Sequence, residues 1–175
     1  MTRLRFAVAL VALLWAPLAC KHKRPAQQRV VQEATRVPTT VQLGDPRAAG
    51  QLVSGFYDIE DKAWRWTGKQ FVVELGTPLG AGGRGATLEL YFTIPAVVIE
   101  KNSSITLSGA VDGNLLPPET YTKPGEYVYK RDVPTSLMNA ESVRVAFELD
   151  KTMTPGGADT RVLGVIATKA GLVRK

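Results

Sequence analysis

A chain of 175 residues with 45% hydrophobic and 22% charged side chains has the composition of one ordinary globular domain with a segment to spare. It holds one cysteine and one histidine, so a disulfide framework and a His- or Cys-rich metal site are both excluded. The net charge of +6 is unevenly spread, with much of the excess near the N-terminus.

At the N-terminus, Arg3 and Arg5 flank Leu4, and residues 6–14 (FAVALVALL) form an unbroken apolar run that continues, past Pro17, to Ala19. The run is short for a bilayer span and ends in small residues, so residues 1–19 read as a secretory signal peptide, outside the fold. The lone cysteine, Cys20, stands where the run stops. A buried thiol belongs inside a core and a disulfide needs a partner, so neither accounts for this position. The segment "APLAC" resembles the signal peptide of a bacterial lipoprotein, in which the cysteine becomes the first mature residue and carries the lipid. Pro17 occupies the place of the family's usual Leu, and Leu18 stands one position later. The resemblance implies export and a membrane anchor at Cys20; the alternatives are ordinary secretion with cleavage nearby and a retained anchor. Lys21 follows instead of the Asp that resembles an inner-membrane retention signal, which favours the outer membrane in a diderm cell.

Residues 20–44 read as a lipidated cysteine and a flexible tether. Lys21, His22, Lys23, Arg24 and Arg29 form a basic run, and Gln27, Gln28, Gln32, Thr35, Thr39 and Thr40 show no apolar period. Such charges either keep a solvated tether extended or lie against anionic headgroups. No aromatic residue interleaves with them, which speaks against nucleic acid.

From Asp45 onward the two-residue period of strands recurs. Leu88, Leu90, Phe92 and Ile94 alternate with Thr87, Glu89, Tyr91 and Thr93; Phe71, Val73 and Leu75 alternate with Val72 and Glu74; Val143, Val145, Phe147 and Leu149 alternate with Ser142, Arg144, Ala146 and Glu148. Further strands are expected over 51–59, 63–67, 104–111, 126–132 and 161–169. Asp112-Gly113-Asn114 is a tight turn, Pro117-Pro118, Pro124-Gly125 and Pro155-Gly156-Gly157 mark loops, and "DVPTSLMNAES" holds one helical turn in which Leu137 and Met138 pack down. No long amphipathic helix follows the signal. About eight short strands in residues 45–175 predict an all-β, antiparallel, jelly-roll-like β-sandwich.

Catalytic patterns are sparse. His22 lies in the tether, so a Ser-His-Asp triad, a Cys-His pair and a His-based zinc site are missing from the domain. Asp58, Glu60, Asp61, Glu74 and Glu89 are candidate carboxylates for glycoside hydrolysis, but surface carboxylates are far commoner than catalytic ones, and a non-enzyme is expected. "GAGGRG" (80–85) precedes a strand where a phosphate loop would open a helix, and so reads as a connection. "DIED" groups Asp58, Glu60 and Asp61, either as a weak calcium site or as a solvated turn ion-paired with Arg65. No cofactor is otherwise implied.

"DKAWRWTGK" places Trp64 and Trp66 on one strand face with Arg65 on the other. Two readings stand: a stacking platform for sugar rings, with Tyr57 and Arg65 as neighbours, or core packing of at least one indole. Tyr91, Tyr121, Tyr127 and Tyr129 are further candidate surface aromatics, the last two sharing a face. The stretches around Gly55-Phe56-Tyr57, Arg65-Trp66-Thr67, Leu149-Asp150-Lys151 and residues 159–164 resemble β-sandwich modules of bacterial cell-surface proteins and of some glycosyltransferases, over about residues 50–172. The resemblance implies a jelly-roll or galactose-binding-like sandwich. The expectation is an exported binding module that meets a glycan, or else a scaffold that meets an envelope protein through a sheet edge or face.

Overall fold

The computed structural model describes residues 36–154 and 156–175. The expected signal peptide, Cys20 and the basic part of the tether lie outside the described residues. Nine strands are present among those described: β1 (Thr40–Gln42), β2 (Leu52–Glu60), β3 (Trp64–Gly76), β4 (Ala86–Ile94), β5 (Ile105–Val111), β6 (Asn114–Tyr121), β7 (Gly125–Val133), β8 (Ser142–Leu149) and β9 (Ile166–Arg174). Every strand pairing is antiparallel. Three-residue β1 lies inside the stretch that composition assigns to the tether; it pairs with β9 and buries Val41.

The hydrogen-bonded path runs β6-β5-β8-β3-β9-β4-β7, with β2 beside β3 and β1 beside β9. It is folded over at β3. Arg65 and Trp66 pair with β9, whereas Gln70 to Gly76 pair with β8. Between these halves the register with β2 steps from Phe56↔Thr67 to Ser54↔Val72, two residues on one strand against five on the other. That bulge bends the strand from one layer into the next. Gly55 makes it possible: its φ is +78°, and a Cβ there would stand 1.9 Å from the Gln70 carbonyl oxygen. The fold-over brings the two ends of the path together. Tyr121 of β6 lies 4.6 Å from Tyr127 of β7, ring centre to ring centre, and Tyr129 of β7 meets Phe147 of β8 edge-on at 6.2 Å. The result is an antiparallel, jelly-roll-like β-sandwich. One sheet is β2-β3-β8-β5-β6; the other is β7-β4-β9, flanked by β1 and the start of β3.

The core lies between the sheets and consists of the alternating residues that the sequence pattern marks. Leu88, Leu90, Phe92 and Ile94 face Val143, Val145, Phe147 and Leu149 in this layer, all buried. Each such side chain contributes roughly 1.5–3 kcal/mol of burial. Tyr127 and Tyr129, expected as surface aromatics, point into this layer instead, as does Tyr121; Tyr129 is fully buried.

Two loop assignments change. Pro117 and Pro118 lie within β6, not in a loop. β6 is an edge strand, so missing N–H donors cost little, and its register with β5 slips by one residue at the prolines. Their carbonyls are used: Tyr129 Oη donates to Pro117 O (2.8 Å), and Arg131 donates to Pro117 O (2.7 Å) and Pro118 O (3.1 Å), closing the open side of the sandwich. The last strand begins at Ile166, not at 161; residues 159–165 form an irregular strap whose Val165 N–H donates to the buried Thr67 hydroxyl. Elsewhere the turn chemistry holds. Asp112 and Gly113, with φ of 45° and 81°, make the two-residue β5–β6 hairpin, and Thr135–Leu137 is the short helical turn before the buried Met138. Among the described residues, no helix is long and apolar enough to cross a membrane.

Candidate functional site

Of the four residues grouped around "DKAWRWTGK", the structure separates two from the other two. Tyr57 Oη donates to Val162 O (3.0 Å) and accepts from Val162 N (3.2 Å), and the Arg161 guanidinium lies 5.4 Å from its ring centre. Arg65 donates from Nε to Leu43 O (2.9 Å) and from Nη1 to Tyr57 O (2.8 Å). Both side chains therefore hold backbone. The "DIED" cluster is likewise divided. Glu60 pairs with Arg161 (2.8 Å), not with Arg65, while Asp61 takes a positive φ of 51° in the β2–β3 hairpin turn. Arg161 also grips Asp159 (2.8 Å), and these two carboxylates hold its proton more firmly while Asp159 is lowered by the same contact. No three His, Cys, Asp or Glu side chains gather to hold a metal among the described residues.

Trp64 and Trp66 are both partly buried and meet edge to face at 6.1 Å. Cross-strand partners share a face, and this locates them. Trp66 pairs with Ile166, Ile166 with Thr93, and Thr93 with Glu126. Thr93 alternates with the buried Phe92 and Ile94, so this whole row lies on the outer face of the β7-β4-β9 sheet. Trp66 sits at its end, partly buried and packed against the core.

The next rows complete a polar and aromatic surface. Tyr91 pairs with Val128 on one side and Lys169 on the other, and Glu89 pairs with Lys130. Tyr91 Oη donates to Glu89 Oε2 (2.9 Å), Lys130 Nζ bridges to Glu89 Oε1 (2.8 Å), and Lys169 Nζ lies 4.6 Å from the Tyr91 ring centre. Glu89 is only 8% exposed although it faces outward. The Lys130 contact lowers its pKa below the usual glutamate range, with Tyr91 adding in the same direction against desolvation. The same carboxylate raises the Tyr91 phenol and the Lys130 ammonium. Tyr91 is thus pinned at its hydroxyl and on one ring face. Beside it lies a groove of about 450 Å³, lined by Tyr91, Phe92, Thr93, Glu126, Tyr127, Val128 and Thr168.

Sequence reasoning centred on Trp64 and Trp66 and did not single out this face; the alternation of Thr87, Glu89, Tyr91 and Thr93, with an aromatic on the polar side, is the signal from which it could have been found. Glu126, Val128, Lys130 and Lys169 come from strands far along the chain, and only the pairing order brings them to Tyr91. "GAGGRG" forms the four-residue helix Ala81–Arg84 between two positive-φ glycines and leads into β4, a connection between strands.

No protein-family model matches this chain, and no curated protein matches its sequence. The fold resembles several solved structures, three of which follow. The CBM36-1 domain of a multidomain xylanase from the hindgut metagenome of Trinervitermes trinervoides matches over 78% of this chain and 97% of that one, at 10% identity and a TM-score of 0.42. A CBM4 structure matches over 78% of this chain and 85% of its own, at 16% identity and 0.38. The exo-β-1,3-galactanase of Phanerochaete chrysosporium, solved with galactose, matches at 11% identity and 0.31 over 78% of this chain and 26% of that one.

Proposed function

We propose that the sandwich is a non-catalytic glycan-binding module of an exported envelope protein, anchored through a lipid on Cys20. The observation that carries the binding reading is the outer face of the β7-β4-β9 sheet, where Tyr91 is fixed between Glu89 and Lys169 beside a groove, with Trp66 along the adjoining row. A sugar presents apolar C–H faces and hydroxyl edges. Tyr91, Val128 and Ile166 supply apolar contact; the Thr93 hydroxyl, the Glu126 carboxylate and the Lys169 ammonium supply acceptors and donors around it. Side chains already held in place lose little freedom on binding. Gel electrophoresis of the domain through embedded envelope polysaccharides tests this. Retardation by one polysaccharide, lost in Tyr91→Ala and weakened in Trp66→Ala, supports it; no retardation by any removes it.

The rival is a protein-interaction scaffold, and one observation favours it. Val72, Ala146, Ala110 and Leu115 align across the outer face of the other sheet, and Leu115 is 84% exposed. The anchor is tested separately. Lipid on Cys20 predicts that the full chain fractionates with membranes, the outer one in a diderm cell, and that Cys20→Ser moves it to the soluble fraction. Membrane fractionation that ignores Cys20→Ser contradicts it.

A further inference from the structure

We infer that the end of the sandwich from which the tether departs is a docking surface for an anionic phospholipid membrane. Orientation at the membrane rests on the Cys20 anchor proposed above; the surface itself is read from the described residues. At this end Thr39 O accepts from Leu172 N (2.8 Å), Pro38 O accepts from Gly76 N (3.0 Å), and Ala86 pairs with Arg174. The first described residue, Arg36, therefore stands with the end of β9 and the connection after β3. A groove of about 430 Å³ opens here, lined by Arg36, Thr39, Thr77, Leu79, Val173 and Arg174 among others, with no carboxylate in its lining. Leu79 is 68% exposed and Val173 42%. Arg84 closes the short helix in the same connection.

Among the described residues, three of the four arginines whose side chains make no hydrogen bond or ion pair lie at this end, the fourth being Arg144 on β8. Arg47, Arg131 and Arg161 each pair with a carboxylate, whereas Arg36, Arg84 and Arg174 take part in no side-chain hydrogen bond or ion pair among the described residues. Of the carboxylates at this end, Asp132 is held by Lys175 (3.0 Å), and Glu141 precedes β8, its backbone carbonyl accepting from Thr77 N (2.9 Å) while the residue itself is outside the lining. Unpaired guanidinium groups around two exposed aliphatic side chains suit an interface with headgroups outside and acyl chains beneath. Arg36 is sixteen residues from Cys20 in the sequence, so a membrane-bound lipid at Cys20 keeps this end within ~55 Å of the bilayer even at full extension.

All described strand pairings lie within residues 40–174, so the chain from residue 20 onward, carrying Cys20→Ser, keeps the whole fold and has no acyl group. Its co-sedimentation with phosphatidylcholine vesicles, with and without phosphatidylglycerol, is the test. The expected result is sedimentation only with the anionic vesicles. Each cation near such a surface adds roughly fivefold to partitioning, so the Arg36→Gln/Arg174→Gln variant loses about 25-fold. Leu79→Ser weakens binding further, and a variant with Lys21, Lys23, Arg24 and Arg29 all changed to Gln keeps a Leu79-dependent remainder. Absence of anionic-vesicle binding overturns the inference. So does binding that survives Arg36→Gln/Arg174→Gln/Leu79→Ser and vanishes with the tether charges, which would assign it to the tether alone. Because the vesicle assay uses an unlipidated chain, failure of the Cys20 fractionation experiment leaves its result intact and is recognised separately.

Discussion

Arg65 lies between two indoles, yet its guanidinium is turned to the Leu43 and Tyr57 carbonyls. Removing it strands both acceptors, so Arg65→Met is expected to cost about 2–3 kcal/mol, seen as a midpoint loss of roughly 10 °C on thermal unfolding. Tyr57→Phe removes both bonds to Val162 and is expected to cost about 1 kcal/mol while leaving glycan retardation unchanged. A Tyr57→Phe variant that folds normally and no longer binds would return Tyr57 to the site. Glu89 carries a pH signature. Its folded pKa lies below its unfolded value, so its contribution is complete above the ordinary glutamate range and is lost as pH falls through the lowered value. The melting difference between wild type and Glu89→Gln should therefore be largest near neutral pH and shrink below about pH 4. A difference that grows in acid contradicts the pairing with Lys130. Which outward residues meet was not legible locally. Tyr91 could be placed on a polar face from its neighbours in sequence, but Lys130 and Lys169 join it only through long-range register.

The strands were legible wherever their two faces differ. β4, β5 and β8 alternate in residue type because one side packs on the core and the other faces outward, although Glu89 on the outer side of β4 is itself covered by its partners. The misreadings occur where that contrast fails. β6 carries two prolines that an edge strand tolerates, three-residue β1 is too short to show a period, and β9 holds Ala170, Gly171 and Leu172 in succession, all buried, so its two faces look alike there. The β3 bulge is a matter of backbone, and two glycines separate its causes. Gly55→Ala meets both a positive φ and the Gln70 carbonyl and is expected to destabilise by more than about 3 kcal/mol. Gly113→Ala meets a positive φ in open space and is expected to cost about 1 kcal/mol. Urea unfolding of the two variants measures both; equal losses would mean that the close approach at Gly55 contributes nothing.

At the scale of the described domain, two sheets enclose one core and leave two outer faces with different chemistry. The β7-β4-β9 face is aromatic and charged with a pinned network; the other presents a row of small apolar side chains ending in Leu115. All-β architecture followed from composition and period, whereas the choice between faces needed the strand order, which no local signal contains. The measurement that tests the glycan reading most directly is tryptophan fluorescence of the chain from residue 20 onward, in which Trp64 and Trp66 are the only indoles, during titration with the polysaccharide that retards it. The expected result is a saturable emission change in wild type that Tyr91→Ala abolishes with the fold intact. Saturable binding that leaves both indoles silent and survives Tyr91→Ala would place the ligand elsewhere and contradict the account.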